Sequence, residues 1–108
     1  MPELPRLPPI ASQPLSVVLL AHNQANQLEA VLAAWVTFLN GLDREYEILV
    51  VDDGSTDDTA ALADKLVAGY QRVQVLRHTT TQGEGAALRT GLTVARHPLL
   101  FYTLCDPH

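Results

Sequence analysis

Four largely apolar runs punctuate the chain. Val73 to Leu76, interrupted by Gln74, and Leu99-Leu100-Phe101-Tyr102-Thr103-Leu104 read as short strands, while Ser16-Val17-Val18-Leu19-Leu20-Ala21 and Ile48-Leu49-Val50-Val51 are continuous, rich in β-branched residues and leucine. Runs of that kind predict strands covered on both faces, as in parallel sheets. Between them the period changes. Leu28, Val31, Leu32, Trp35, Val36 and Leu39 recur at helical spacing, predicting a helix from about Ala25 to about Leu39 that stops at Asn40-Gly41. Leu62, Ala63, Leu66, Val67 and Tyr70 mark a second helix with Gly69 near its end. After a polar loop from Arg77 to Gln82, the small residues of Gly83-Glu84-Gly85-Ala86-Ala87-Leu88-Arg89-Thr90-Gly91 run into a third, expected to end near His97-Pro98. Strand and helix therefore alternate. Right-handed crossovers then give an α/β fold, a three-layer Rossmann-like parallel sheet with helices on both faces.

The second run ends abruptly in Asp52-Asp53-Gly54-Ser55-Thr56-Asp57-Asp58. Gly54 permits a tight turn, Ser55 or Thr56 is placed to cap the next helix, and Asp57 and Asp58 suit its positive N-terminus. This puts carboxylates at the C-terminal edge of a strand, where open α/β sheets bind ligands. Successive strand residues point to opposite faces, so only one of Asp52 and Asp53 can face a given ligand. Asp53, nearer the turn, is the one expected to accept hydrogen bonds from a nucleotide base or ribose, while Asp52 braces the loop. The plainer alternative is that both carboxylates only shape the turn. For Gly83-Glu84-Gly85, close helix packing is preferred over phosphate binding when the pattern stands alone.

Composition narrows the partners. With 108 residues and 47% hydrophobic content, the chain suits one core, and a net charge of -5 argues against a nucleic-acid backbone as ligand. Four of the twelve acids fall between Asp52 and Asp58, which also suits a site that works through a divalent cation. The single cysteine, Cys105, forms no internal disulfide, so the cytoplasm is the default location. Residues 1–15 hold five prolines and read as an extended or disordered lead, leaving 16–108 as the folded domain. No apolar run approaches the ~20 residues that span a bilayer. Membrane association would have to come from elsewhere in a longer parent protein.

With these residues in place, Ser16 to His108 resembles the nucleotide-sugar-binding half of inverting family 2 glycosyltransferases with the GT-A fold, nearest to the dolichyl-phosphate mannose synthase-like branch. The marks are Val50-Val51-Asp52-Asp53-Gly54-Ser55-Thr56-Asp57, the Gly83 to Gly91 segment, and a last strand ending in Asp106. The resemblance implies strand order 3-2-1-4. It also implies a site built from Leu20, His22, Asn23, Gln24, Asp52, Asp53, Gly83, Arg89 and Asp106, with His22 standing where the family stacks a tyrosine on the base. Mg²⁺ or Mn²⁺ is implied at Asp106, and the His108 imidazole is expected as a second ligand. Two departures stand out. Glu84 replaces a lysine usual near the diphosphate, and Leu104-Cys105-Asp106 replaces the usual Asp-x-Asp.

The implied function is the donor-binding part of an enzyme moving a sugar from a UDP or GDP sugar to an acceptor, in that branch a polyisoprenyl phosphate. The acceptor half would follow His108, so the 108 residues alone are expected to be inactive. The competing reading is a degenerate, non-catalytic nucleotide-binding module. Placed at the sheet edge, the apolar fourth strand is further expected to pair with another chain as a homodimer.

Overall fold

A computed structural model describes residues 13–105, with seven elements in strict alternation. They are β1 (Leu15–Ala21), α1 (Leu28–Asn40), β2 (Tyr46–Asp53), α2 (Thr59–Val67), β3 (Val73–His78), α3 (Glu84–Val94) and β4 (Leu99–Leu104). The four strands form one all-parallel sheet in the order β3-β2-β1-β4, as expected. Every strand therefore presents its C-terminal end at the same edge.

The two continuous runs lack alternation because β1 and β2 are buried on both faces. Val17, Leu19, Ala21, Ile48 and Val50 pack with Leu28, Val31, Leu32 and Leu39 of α1 and Ala63 of α2. Their neighbours Val18, Leu20, Leu49 and Val51 pack instead against Ala87 of α3, with Leu88 and Val94 alongside. Helices α1 and α2 thus cover one face and α3 the other. Gly91 lets α3 come close, since a Cβ there would meet Val18 Cγ1 at 2.5 Å.

Some boundaries differ from the sequence reading. Helix α1 starts at Leu28, not near Ala25, because Asn23 takes a left-handed conformation (φ 51°) and residues 24–27 form a separate turn. Strand β3 continues through Arg77 and His78, which had been assigned to the loop. Helix α3 ends at Val94, well before His97. Ser55 and Thr56 do not cap α2. Ser55 is drawn back to Asp52, and the Asp57 carboxylate accepts instead from the Thr59 backbone N–H (2.9 Å) and hydroxyl. Strand β1 begins at Leu15, inside the stretch read as a lead. Among the described residues no helix is long and apolar enough to cross a membrane.

Candidate functional site

The strand period decides which way each carboxylate of β2 points. Glu47, Leu49, Val51 and Asp53 share the α3 side, and Asp52 faces the other. Asp52 is 1% exposed, accepts from the backbone N–H (3.3 Å) and hydroxyl of Ser55, and lies 3.7 Å from the Arg77 guanidinium. It braces the turn. Gly54 completes that turn at φ 63°, and a Cβ on it would stand 2.2 Å from the Thr81 backbone nitrogen. Two loops therefore cross at Gly54, and only a glycine fits between them.

Asp53 meets the loop that precedes α3. Its Oδ1 accepts from the Gln82 N–H (2.9 Å) and from His78 Nδ1 (2.8 Å), and its Oδ2 from the Gly83 N–H (2.9 Å). The His78 contact follows from register, because Asp53 and His78 are directly paired on neighbouring parallel strands. Burial pushes the Asp53 carboxyl up. The Gln82 N–H, His78 and the Gly83 N–H outweigh it and leave the group below its ordinary value, so it is ionised at neutral pH. A carboxylate offers about four acceptor positions. Among the described residues three are filled, leaving one on Oδ2.

A cleft of about 200 Å³ opens at this edge, lined by Leu20, Ala21, His22, Gln24, Asp53, Glu84, Ala87 and Leu104. Of the residues expected at a site, Leu20, His22, Gln24 and Asp53 are brought together here. Asn23, Asp52, Gly83 and Arg89 are not among its walls. Asn23 ties loops together, its Oδ1 accepting from the backbone N–H groups of Thr56 (2.8 Å) and Asp57 (3.3 Å). Gly83 reaches the cleft only through its N–H on Asp53, and Arg89 lies exposed on α3. His22 donates from Nδ1 to the Asp53 carbonyl oxygen (2.7 Å), which sets its ring at the mouth. Close packing does not explain Gly83 and Gly85, contrary to the preferred sequence reading. A Cβ on either would meet nothing within 4 Å, and Gly83 is glycine because its φ is 100°.

A family model for glycosyl transferase family 2 matches residues 16–108. The chain belongs to that family. Glycosyltransferase AglE of Haloferax volcanii is 32% identical over 96 residues, covering 87% of this chain and 31% of that protein. The human dolichyl-phosphate beta-glucosyltransferase is 32% identical over 100 residues, covering 83% and 31%. The chain thus spans about a third of the length of the curated relatives it matches. Among solved structures, the mannosyltransferase PcManGT from Pyrobaculum calidifontis, in complex with GDP-Man and Mn²⁺, superposes with a TM-score of 0.77 at 22% identity, covering 88% of this chain and 28% of that one. S. aureus TarS 1-349 in complex with UDP-GlcNAc gives 0.71 at 23%, covering 85% and 26%. The sheet is the N-terminal part of a GT-A fold.

Seen as a family 2 chain, the cleft departs from its resemblance in charge. Leu104 and Glu84 both line it, an apolar residue where a carboxylate is usual and a carboxylate where a lysine is usual. Among the described residues no group of three or more His, Cys, Asp or Glu side chains could hold a metal ion. Asp106, to which the resemblance assigns it, and His108, expected as a second ligand from its imidazole, lie outside the described residues. His78 escaped the sequence reading because it sits in a polar stretch next to three threonines. Its only signal was its register opposite Asp53, which a sequence does not display.

Proposed function

We propose that this chain is the nucleotide-sugar-binding part of an inverting glycosyltransferase that transfers a sugar from a UDP or GDP sugar, in the branch it resembles to a polyisoprenyl phosphate. One observation carries the reading: Leu20, His22, Gln24 and Asp53 converge on a single cleft where parallel strands end beside the start of α3. The position left on Asp53 Oδ2 accepts an N–H of the base, and the His22 ring at the mouth stacks on its face. Asn23, Asp52, Gly83 and Arg89 serve by holding or flanking that cleft. The exposed backbone at Gly83 to Gly85 leaves room for the diphosphate to approach the first turn of α3.

A cation at Asp106, Mg²⁺ or Mn²⁺ with His108 as the added ligand, would supply charge compensation for the departing diphosphate. That role is supported by the Mn²⁺ complex of the mannosyltransferase neighbour. Nucleic acid does not suit a chain of charge -5. The single cysteine, Cys105, is buried and accords with a cytoplasmic location, membrane association being left to the rest of the parent. Since the chain spans about a third of its relatives, residues 1–108 are expected to bind donor without transferring sugar.

Glu84 and Leu104 favour a second reading, a module that holds nucleotide weakly and does no chemistry. Calorimetric titration of UDP-glucose, UDP-GlcNAc and GDP-mannose, with and without Mn²⁺, separates the two. Metal-dependent affinity lost in Asp106→Ala supports the transferase. Weak, metal-independent binding supports the module, and no binding under any condition ends both.

A further inference from the structure

His78 is the residue of this site that the sequence motifs do not name. Its imidazole is 9% exposed and bridges three elements. Nδ1 donates to Asp53 Oδ1 on β2 at 2.8 Å, and Nε2 lies 2.7 Å from the Thr90 hydroxyl on α3. With Nδ1 carrying the proton that serves the carboxylate, Nε2 is left to hydrogen-bond the Thr90 hydroxyl. Asp53, His78 and Thr90 thus form one chain running from the cleft into the body of the protein. It resembles a nucleophile-base-acid relay only in outline. Neither Thr90 nor His78 lines the cleft, so no substrate reaches the hydroxyl there.

The same carboxylate holds the loop before α3. Gln82 and Gly83 donate their N–H groups to the two Asp53 oxygens, and Glu84 opens the helix directly after them. Asp53 is free to swing only if His78 lets it, since both backbone bonds move with the loop. We infer that His78 is a positioning residue: it locks the Asp53 carboxylate, and through it the Gln82-Gly83 backbone, in the arrangement that receives the nucleotide. This deepens the donor-site reading and rests on it for the ligand.

Among the described residues, the charged and titratable groups facing Asp53 are His78 from β3, His22 beyond β1, and Glu84 from α3. Asp52 and its Arg77 partner lie on the opposite side of β2. With His78 removed, Asp53 keeps its burial and loses one of the contacts that hold its carboxyl down. Its protonation then begins at higher pH.

The test uses the full chain with UDP and GDP as probes, in the wild type, His78→Phe, His78→Asn and Thr90→Val. Hydrogen exchange at the Gln82 and Gly83 amides reads the loop without any ligand. We expect exchange at least about tenfold faster in His78→Phe, as loss of about 1.4 kcal/mol gives. His78→Asn should restore slow exchange, since its amide can replace the Nδ1 donor. Nucleotide affinity should fall by a similar factor in His78→Phe, with its acid limb moved to higher pH, and recover in His78→Asn. Thr90→Val should give a smaller change in the same direction, and it guards against a misfolded Phe variant. Unchanged exchange in both His78→Phe and Thr90→Val overturns the proposal, as does faster exchange with nucleotide affinity and its pH profile untouched. Faster exchange in a protein that binds neither nucleotide supports the positioning of Asp53 and sinks the donor reading instead.

Discussion

At the scale of single residues, the acceptor position left on Asp53 has a consequence for the base. Oδ1 already accepts twice and Oδ2 once, so only one more N–H can be received. The uracil edge offers a single imide N–H, whereas guanine offers a paired N–H and NH₂ that need both oxygens of a carboxylate. UDP is therefore expected to bind more tightly than GDP by about tenfold, the worth of one unmade hydrogen bond. Competition between the two nucleotides measures it, and equal affinity would mean that Asp53 does not read the base. Glu84 acts on the other end of the ligand. Its carboxylate lines the cleft beside Gly85, where a diphosphate would approach, and repels it. Glu84→Lys reverses that sign and should tighten UDP binding by about tenfold at low salt, the gain shrinking as ionic strength rises. A gain that ignores salt would point to a change of shape instead.

At the scale of elements, β2 secures both ends of α3 with buried carboxylates on one face. Asp53 takes the N–H groups just before the helix. Glu47, 2% exposed at the far end of the strand, takes the Arg96 N–H (2.7 Å) just after it, along with the Ser16 hydroxyl (2.7 Å) and Arg96 Nε (3.2 Å). Burial pushes the Glu47 carboxyl up, but the Arg96 N–H, the Ser16 hydroxyl and the Arg96 guanidinium outweigh it and hold it below its ordinary value of 4.5. A carboxyl depressed in the folded state adds stability that is present above the unfolded value and lost as pH falls through the folded one. Glu47→Gln should thus lower the wild-type melting temperature at pH 7, with the gap closing below about pH 4.5. A gap constant with pH would assign the loss to packing. Between these anchors Gly91 sets the helix-sheet distance, and Gly91→Ala should cost about 1–3 kcal/mol in urea unfolding, since Val18 must shift. Much of this was legible. β1 and β2 were legible because burial on both faces leaves a continuous apolar signal, and the half-exposed β3 and β4 still showed as short apolar segments. The start of α1 was hidden by the left-handed Asn23, and the end of β3 by the polar side chains of Arg77 and His78, whose partners come from other elements. In the site, Asp53 was readable because a strand end fixes it locally, whereas Leu20, His22 and Gln24 were reached through the family resemblance. His78 and Thr90 were reached by neither, because their meeting depends on register and on the packing of α3.

At the scale of the whole molecule, the sheet is closed in its middle and open at one side. β1 and β2 are buried on both faces, whereas β4 exposes Leu100, Phe101, Tyr102 and Leu104 in succession. Consecutive residues point to opposite faces, so both faces of β4 are open as well as its edge. Trp35 of α1 covers part of one face, its ring 5.3 Å from that of Phe101. Phe38, packed edge-on to Trp35, extends the patch to the helix. Among the described residues β4 is an apolar edge strand paired on one side only, with no lysine or proline within it, and such an edge is a template for pairing with a second chain. The chain should therefore associate with increasing concentration, as a dimer or larger species, in multi-angle light scattering. Tyr102→Lys and Leu104→Lys add charge to the exposed edge without touching Trp35, and together they should return it to monomer while leaving the melting temperature of the β1–β2 core nearly unchanged. A wild-type chain that stays monomeric at high concentration would show that the edge is protected. A lysine variant that associates as strongly as the wild type would move the contact off β4 and onto the Trp35-Phe38 face of α1.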